Sequence, residues 1–299
     1  MKLFNLQDVT TMKLTQILCP LVTVAALLLS PLSSAQTFTF TAIPDQDETQ
    51  LQTRFGKIAQ YLSTQLGVEV KYIPVKSYAA AVTAFRNDQV QLAWFGGLSG
   101  VQARMRVPGS EAIAQGYEDQ FFQTYFIAHK STELQAAATL EDSVKEHSFT
   151  FGSKGSTSGR LMPEFYLRQQ FNQSPEEIFS RVGFSGDHSR TIALVQAGAY
   201  DIGAVNFKVW ERELASGTID PDQVSVIWET PTYPDYQWTI RGDVDQRWGK
   251  GFKQRVQQAL LTLDDPELLN AFPRSRFVKA SNADFEPVAD VARSIGLID

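Results

Sequence analysis

Apolar residues follow two rhythms along this chain, and the same succession of rhythms occurs twice. In YAAAVTAFRNDQVQLAWFG, Tyr78 to Gly96, and HSRTIALVQAGAYDIGAVN, His188 to Asn206, four apolar pairs stand in register at a constant offset of 110 residues. They are Val82 with Ile192, Phe85 with Val195, Leu92 with Ile202, and Phe95 with Val205. A helical spacing gives way, across a polar or small turn, to a short apolar run, which predicts a helix followed by a strand in each copy. FTF at Phe38 to Phe40 matches FTF at Phe149 to Phe151 once one residue is allowed for, and each predicted strand leads into a loop and a helix. Two lobes of similar β-α-β-α-β order follow.

Strands alternating with helices imply mostly parallel sheets, whose ligands lie beyond the carboxyl ends of the strands, near helix N-termini. Two β-rich runs, QTYFIAHK (Gln123 to Lys130) and VSVIWETPTYPDYQWTIRG (Val224 to Gly242), read as the crossings that make a hinge. Later helical stretches such as Trp248 to Leu263 return to complete the first lobe. The divisions are then 36–127 for the first part of lobe I, 128–226 for lobe II and 227–299 for the return.

The N-terminus changes the setting. Lys13, an apolar run from Ile17 to Leu29, and Ser33 and Ala35 in a small-x-small arrangement read as an export signal over 1–35, with Met12 as a possible start and cleavage after Ala35. The only cysteine, Cys19, lies inside it, preceded by no small residue of the kind a lipid-modified cysteine needs. The mature chain then suits an oxidising periplasm without disulfides. Losing Lys2, Lys13 and Asp8 moves the formal charge from −6 to −7. No basic stripe opposes that acidity, which excludes a nucleic-acid role.

An anion in such a chain must be held by dipoles and neutral donors, and FGSKGSTSGRLMPEFYLRQQF, Phe151 to Phe171, has the composition for it. A small, hydroxyl-rich loop feeding a helix start leaves backbone N–H groups without intrahelical partners, and those donors favour an oxyanion. Ser156, Thr157 and Ser158 are the candidate donors, with Pro163 near the first turn; a plain helix cap is the bland reading of the three. Tyr78 and His188 open the two repeated helices at identical places, which favours a site over a chance aromatic and a chance histidine. Asp45 is a further candidate, although Asp45, Asp47 and Glu48 also suit an acidic first helical turn. The arginines of FPRSRF, Phe272 to Phe277, read as a solvated turn, and Trp94, Phe95 and Trp238 as core and cleft wall.

The order strand, IPDQDE, YAAAVTAF, AWFGGLSG, FTFGSKGSTSGRLMPEF, GFSGDHSRTIALV, IGAVN resembles the phosphonate and phosphite solute-binding family of ATP-driven importers, closest to its selenate-binding branch. The resemblance covers nearly the whole mature chain, and STSG, Ser156 to Gly159, is its most specific piece. It implies an α/β type II periplasmic binding protein, two Rossmann-like lobes joined by a two-strand hinge, monomeric and without cofactor. The implied role is capture of a small oxyanion and delivery to a membrane permease with its ATPase.

This chain departs from the family at two places. FGGLSG stands where FGPxSY is usual, so that Gly97 and Gly100 leave room or backbone donors, and Asn206 stands where a carboxylate usually follows the AVN strand. Phosphate and phosphonates keep a proton near neutral pH that a buried carboxylate accepts, whereas sulfate and selenate carry none and suit neutral donors. Asn206 therefore predicts selenate or sulfate over phosphate. The alternative is an enzyme: D-x-D-x-T at Asp45, Asp47 and Thr49, with Asp264 and Asp265, resembles aspartyl-phosphate phosphatases of the haloacid dehalogenase type, although Pro44 interrupts the strand that motif needs. GSKGSTSG lacks the spacing of a P-loop, and His129, His147 and His188 form no metal-binding pair.

Overall fold

The computed structural model describes residues 36–299; the segment 1–35 expected to be an export signal, with Cys19, lies outside the described residues. Phe38–Ala42 (β1) is buried along almost its whole length, as a central parallel strand must be. Glu48–Leu66 (α1) follows, capped by Asp47, whose carboxylate accepts from Thr49 N and Gln50 N, and ended by Gly67 in the left-handed region. Leu51, Phe55, Ile58, Leu62 and Leu66 form its buried stripe. Val70–Tyr72 (β2), Tyr78–Arg86 (α2), Leu92–Phe95 (β3), Gly97–Arg106 (α3) and Glu111–Gly116 (β4) continue the first lobe.

The chain then enters the second lobe with Thr124–His129 (β5) and Ser148–Phe151 (β6). Met162–Phe171 (α4), Arg181–Phe184 (β7), His188–Gln196 (α5), Ile202–Asn206 (β8), Phe207–Ala215 (α6) and Val224–Glu229 (β9) complete that lobe. Gln237–Ile240 (β10), Phe252–Leu261 (α7), Phe277–Lys279 (β11) and Glu286–Ser294 (α8) return to the first.

Among the described residues the strands form two sheets, ordered β11-β4-β10-β3-β1-β2 and β7-β6-β8-β5-β9. Each has a parallel trio, β2-β1-β3 and β7-β6-β8, with an antiparallel strand beside its third member, β10 beside β3 and β5 beside β8. The repeated segments occupy equivalent places: α2 and β3 in one lobe, α5 and β8 in the other. An α/β fold of two lobes is thus present.

The β-rich runs read as crossings behave differently. β5 and β9 pair along their length inside the second sheet, because a buried strand there must satisfy its backbone groups. The backbone passes between sheets at 117–123 and 230–236, where Phe122 N reaches Tyr233 O at 2.9 Å and Tyr233 N reaches Phe122 O at 3.0 Å. The first core is dense in aromatics, with Trp94 stacked on Tyr236 and Trp238 packed edge-on to Phe40 and Phe55. Trp94, Phe95 and Trp238 all belong to it.

Candidate functional site

The loop after β6 folds around its serines. Ser156 Oγ accepts from Gly159 N at 2.9 Å and caps a π-helical turn, Thr157–Leu161, in which Leu161 N reaches Ser156 O at 3.0 Å. The bland reading of Ser156 as a cap is therefore correct for its hydroxyl. Pro163 falls in the first turn of α4, where its missing N–H leaves no bond unmade. A Cβ on Gly159 would stand 3.0 Å from His188 Cε1 and 3.2 Å from Gly152 Cα, so glycine is what lets this loop close on the histidine. Thr157 Oγ1 accepts from Leu98 N of the first lobe at 3.0 Å. Ser158 O accepts from Thr124 Oγ1 at 2.8 Å, while Ser158 Oγ is buried with no partner among the described residues.

Two helix starts face this loop. α2 begins at Tyr78 behind the Ser77 cap, and α5 begins at His188 behind the Asp187 cap. The Tyr78 hydroxyl is buried and unpartnered, and Gly155 brings the loop against the Tyr78 ring. Burial, and then the charge of Asp45, pushes that phenol well above its ordinary value of 10, so it stays a proton donor. His188 Nδ1 accepts from Asn206 N at 3.2 Å, which leaves its proton on the buried, unpartnered Nε2. Burial pushes the ring down to about 4 against the pull of Asp45. His188 is a neutral donor at neutral pH.

Asp45 lies between these starts. Its carbonyl accepts from His188 N at 3.1 Å and its Oδ2 accepts from the Tyr236 hydroxyl at 2.8 Å. Tyr236 in turn accepts from Asn206 Nδ2 at 2.9 Å. The other end of the Asn206 amide caps α6, with Oδ1 accepting from Lys208 N at 2.8 Å and Val209 N at 3.2 Å. Asn206 is in the cleft, but both ends of its side chain are engaged by the protein.

Sequence reasoning missed Asp235. It lies on the return crossing, in YPDYQW, and its Oδ1 accepts from Gly97 N at 2.8 Å while Oδ2 is buried with no partner among the described residues. The signal available was a Pro-Asp pair flanked by tyrosines in a segment read only as hinge. Gly97 thus contributes through its N–H. The room expected beside Gly97 and Gly100 is filled: a Cβ on Gly97 would meet Val288, Pro234 O and Thr157 Oγ1 at 3.2–3.3 Å, and one on Gly100 would meet the Gln237 amide carbon at 2.8 Å. Buried carboxylates at Asp45 and Asp235, with Asn206 spent internally, remove the premise of the selenate preference.

Two further expectations are corrected. Arg274 of FPRSRF is no solvated turn residue: it is buried and ion-paired to the buried Asp119 at 2.7 Å, because Asp119 would otherwise be an uncompensated interior charge. The phosphatase reading finds its aspartates employed otherwise, Asp47 as the cap of α1, Asp265 as the cap of Pro266–Ala271 and Asp45 as the acceptor of Tyr236.

Comparison with known proteins shows the family. The profile of a family described as ABC transporter, phosphonate, periplasmic substrate-binding protein matches residues 40–285. A Prochlorococcus marinus protein described as a probable ABC transporter phosphite binding protein, PhnD1, is 42% identical over 264 residues, covering 86% of this chain and 89% of its own. The solved structure of that PhnD1 in complex with methylphosphonate superposes with a TM-score of 0.84 at 41% identity, covering 88% of this chain and 100% of that one. A binding-protein component of an ABC phosphonate transporter from Pseudomonas aeruginosa has the same fold, with a TM-score of 0.75 at 21% identity over 86% of this chain and 85% of that one. These relatives are solute-binding proteins, and none supports the phosphatase reading.

Proposed function

The chain belongs to the family of phosphonate-binding periplasmic substrate-binding proteins of ABC transporters, and on that premise we propose that it captures a small tetrahedral phosphorus oxyanion, such as a phosphonate or phosphite, between its two lobes. One observation carries the reading. Tyr78 Oη, Ser158 Oγ and His188 Nε2, three buried groups able to donate, come from both lobes and are left without partners. Buried polar groups are almost always paired, so three orphans around one cleft describe a ligand's oxygens.

The roles divide by chemistry. Ser158 and the backbone of the turn at Thr157 give donors from the second lobe, Tyr78 its phenol from the first, and His188 its Nε2–H. All are neutral, so closure costs no counter-charge and the anion's own charge strengthens each bond. Thr157, in its bond to Leu98 N, ties the lobes beside the ligand, and so does Gln46, whose amide oxygen accepts from Arg54 and, across the cleft, from Arg212. A ligand that bridges the lobes favours the closed form by its differential affinity, and the permease reads that form. The protein acts in the periplasm as a monomer, delivering its ligand to a permease and ATPase. The hinge is the pair of segments 117–123 and 230–236, and the lobes are the two sheets with their helices.

The test is a calorimetric panel of methylphosphonate, phosphite, phosphate, sulfate and selenate against the purified mature chain. Binding of at least one phosphorus oxyanion is expected. Silence towards all three would overturn the reading.

A further inference from the structure

Two guanidinium groups from opposite lobes meet on one neutral oxygen. Gln46 Oε1 accepts from Arg54 Nη2, on α1 of the first lobe, at 3.0 Å and from Arg212 Nη2, on α6 of the second. The amide cannot turn over, because its Nε2 end would set N–H groups against two cations. The backbone is held as well: Asp45 carries the bonds to His188 N and the Tyr236 hydroxyl, and Asp47 caps α1. Gln46 and Arg54 are buried, the Arg54 guanidinium lying 5.8 Å from the centres of the Phe55 and Phe272 rings, and Arg212 is half-buried.

A buried arginine ordinarily faces a carboxylate, as Arg274 faces Asp119. At Gln46 that charge is missing. Arg54 Nε is buried with no partner among the described residues. Burial pulls the Arg54 guanidinium down to about 10; the charge of Asp45 opposes that fall, and Arg212 and then Arg274 add to it. Glu213, next to Arg212 in sequence, is taken up by the Ser189 hydroxyl. The Arg54 bond stays within the first lobe and survives opening. The Arg212 bond exists only when the lobes meet, and forming it brings a second cation against the first. Closure thus gains a charge-assisted bond and meets a like-charge repulsion at the same point.

We propose that Gln46 is the residue that sets the closure equilibrium of this cleft: being neutral, it keeps the tie between Arg54 and Arg212 shallow, so that the bound anion decides whether the lobes stay shut. This rests on the reading that the cleft closes on a phosphorus oxyanion. A carboxylate of the same length at this position would pair with both guanidiniums and hold the lobes together empty. Apparent affinity is the intrinsic affinity scaled by the closed fraction, so a residue that never meets the ligand tunes the affinity for every ligand alike. Gln46 bonds the two arginines and none of Tyr78, Ser158 and His188, which fits that role.

The test is a double-mutant cycle over Gln46→Glu and Arg212→Met. Calorimetry gives the affinities for methylphosphonate and phosphite, and small-angle X-ray scattering gives the compactness of each protein with and without ligand. The cycle removes any direct effect of the new charge on an anionic ligand, because both proteins with Gln46→Glu share it. Gln46→Glu should tighten methylphosphonate binding about fivefold or more relative to its effect in the Arg212→Met background, with the same factor for phosphite. The empty Gln46→Glu protein should be as compact as the liganded parent. Gln46→Met removes the shared acceptor, leaves the two cations facing each other, and should weaken both ligands about threefold or more at an unchanged ratio.

Effects at the two positions that multiply to within about twofold overturn the role of Gln46 and leave the proposed function standing. A changed ratio of methylphosphonate to phosphite affinity in Gln46→Met does the same. A parent that binds no phosphorus oxyanion overturns the function itself, and the scattering of the empty Gln46→Glu protein then decides the tie alone: compaction beyond the empty parent supports it, and parental dimensions overturn it. Gln46→Met keeps the inference testable if Gln46→Glu fails to fold.

Discussion

Ser158→Ala separates a ligand-binding hydroxyl from a structural one, because the two predict opposite signs for the ligand-free protein. Ser158 Oγ is buried and makes no hydrogen bond in the described structure. A buried hydroxyl in that state costs about 1–3 kcal/mol, so its removal should leave the empty protein at least as stable as the parent, by up to ~1 kcal/mol after relaxation. For a chain of this size that raises the melting temperature by about 2–4 °C. The same change deletes a donor to a charged oxygen, a loss of ~1.5–3 kcal/mol, or about ten- to 150-fold in affinity.

The neighbouring Thr157→Ala is the control. It also weakens binding, but it strips the buried Leu98 N–H of its acceptor, 3.0 Å away, so it should destabilise the empty protein by about 1–3 kcal/mol. Thermal melts with and without methylphosphonate, together with calorimetric affinities, measure both quantities. An empty Ser158→Ala protein that melts below the parent and binds methylphosphonate with parental affinity would refute the assignment.

Two other outcomes follow from buried charge. His188 is held down to about 4 by burial, against an ordinary 6.5, so between those values the unfolded chain binds a proton that the folded one refuses. Stability contributed by neutral His188 is whole above about pH 6.5 and is lost as the pH falls towards 4, by roughly 3 kcal/mol over the window. His188→Asn should flatten the difference between urea midpoints at pH 7.5 and pH 4.5, and an unchanged difference contradicts the burial argument. Arg274→Met strands the buried Asp119 carboxylate and should cost about 3–5 kcal/mol in urea unfolding, with part of the loss recovered in the double variant with Asp119→Asn. A single variant within ~1 kcal/mol of the parent would show that Asp119 finds its compensation elsewhere.

What could be read from the chain was what repeats or is local. Tyr78 and His188 stand at the same offset as the helices they open, and a gapless alignment of the chain with itself finds them. STSG announces a helix start through composition alone. Asp235 has neither advantage: it meets Gly97 across 138 residues of sequence, in a crossing with no regular element to place it. Arg274 likewise meets Asp119 across 155 residues, and its neighbours Pro273 and Ser275 look like a surface turn until that partner is known. Asn206 carries two signals at once. An Asn directly before the apolar-periodic FKVWERELA is a cap signal in its own right, and the cap claims its oxygen.

The sheet order also constrains when each lobe can form. All strands of the second sheet lie between residues 124 and 229, so that sheet can close as soon as this stretch of chain is free. The first sheet cannot. β4, complete by Gly116, has only β10 and β11 as neighbours, and the nearer of these in sequence ends at Ile240. Until then β4 has no backbone partner and β3 lacks its antiparallel one. Loop closure over more than a hundred residues makes such pairing slow. A chain that crosses a membrane N-terminus first would therefore present a finished second lobe beside an open first one, and the lobe that starts the sequence would be the last to acquire its structure.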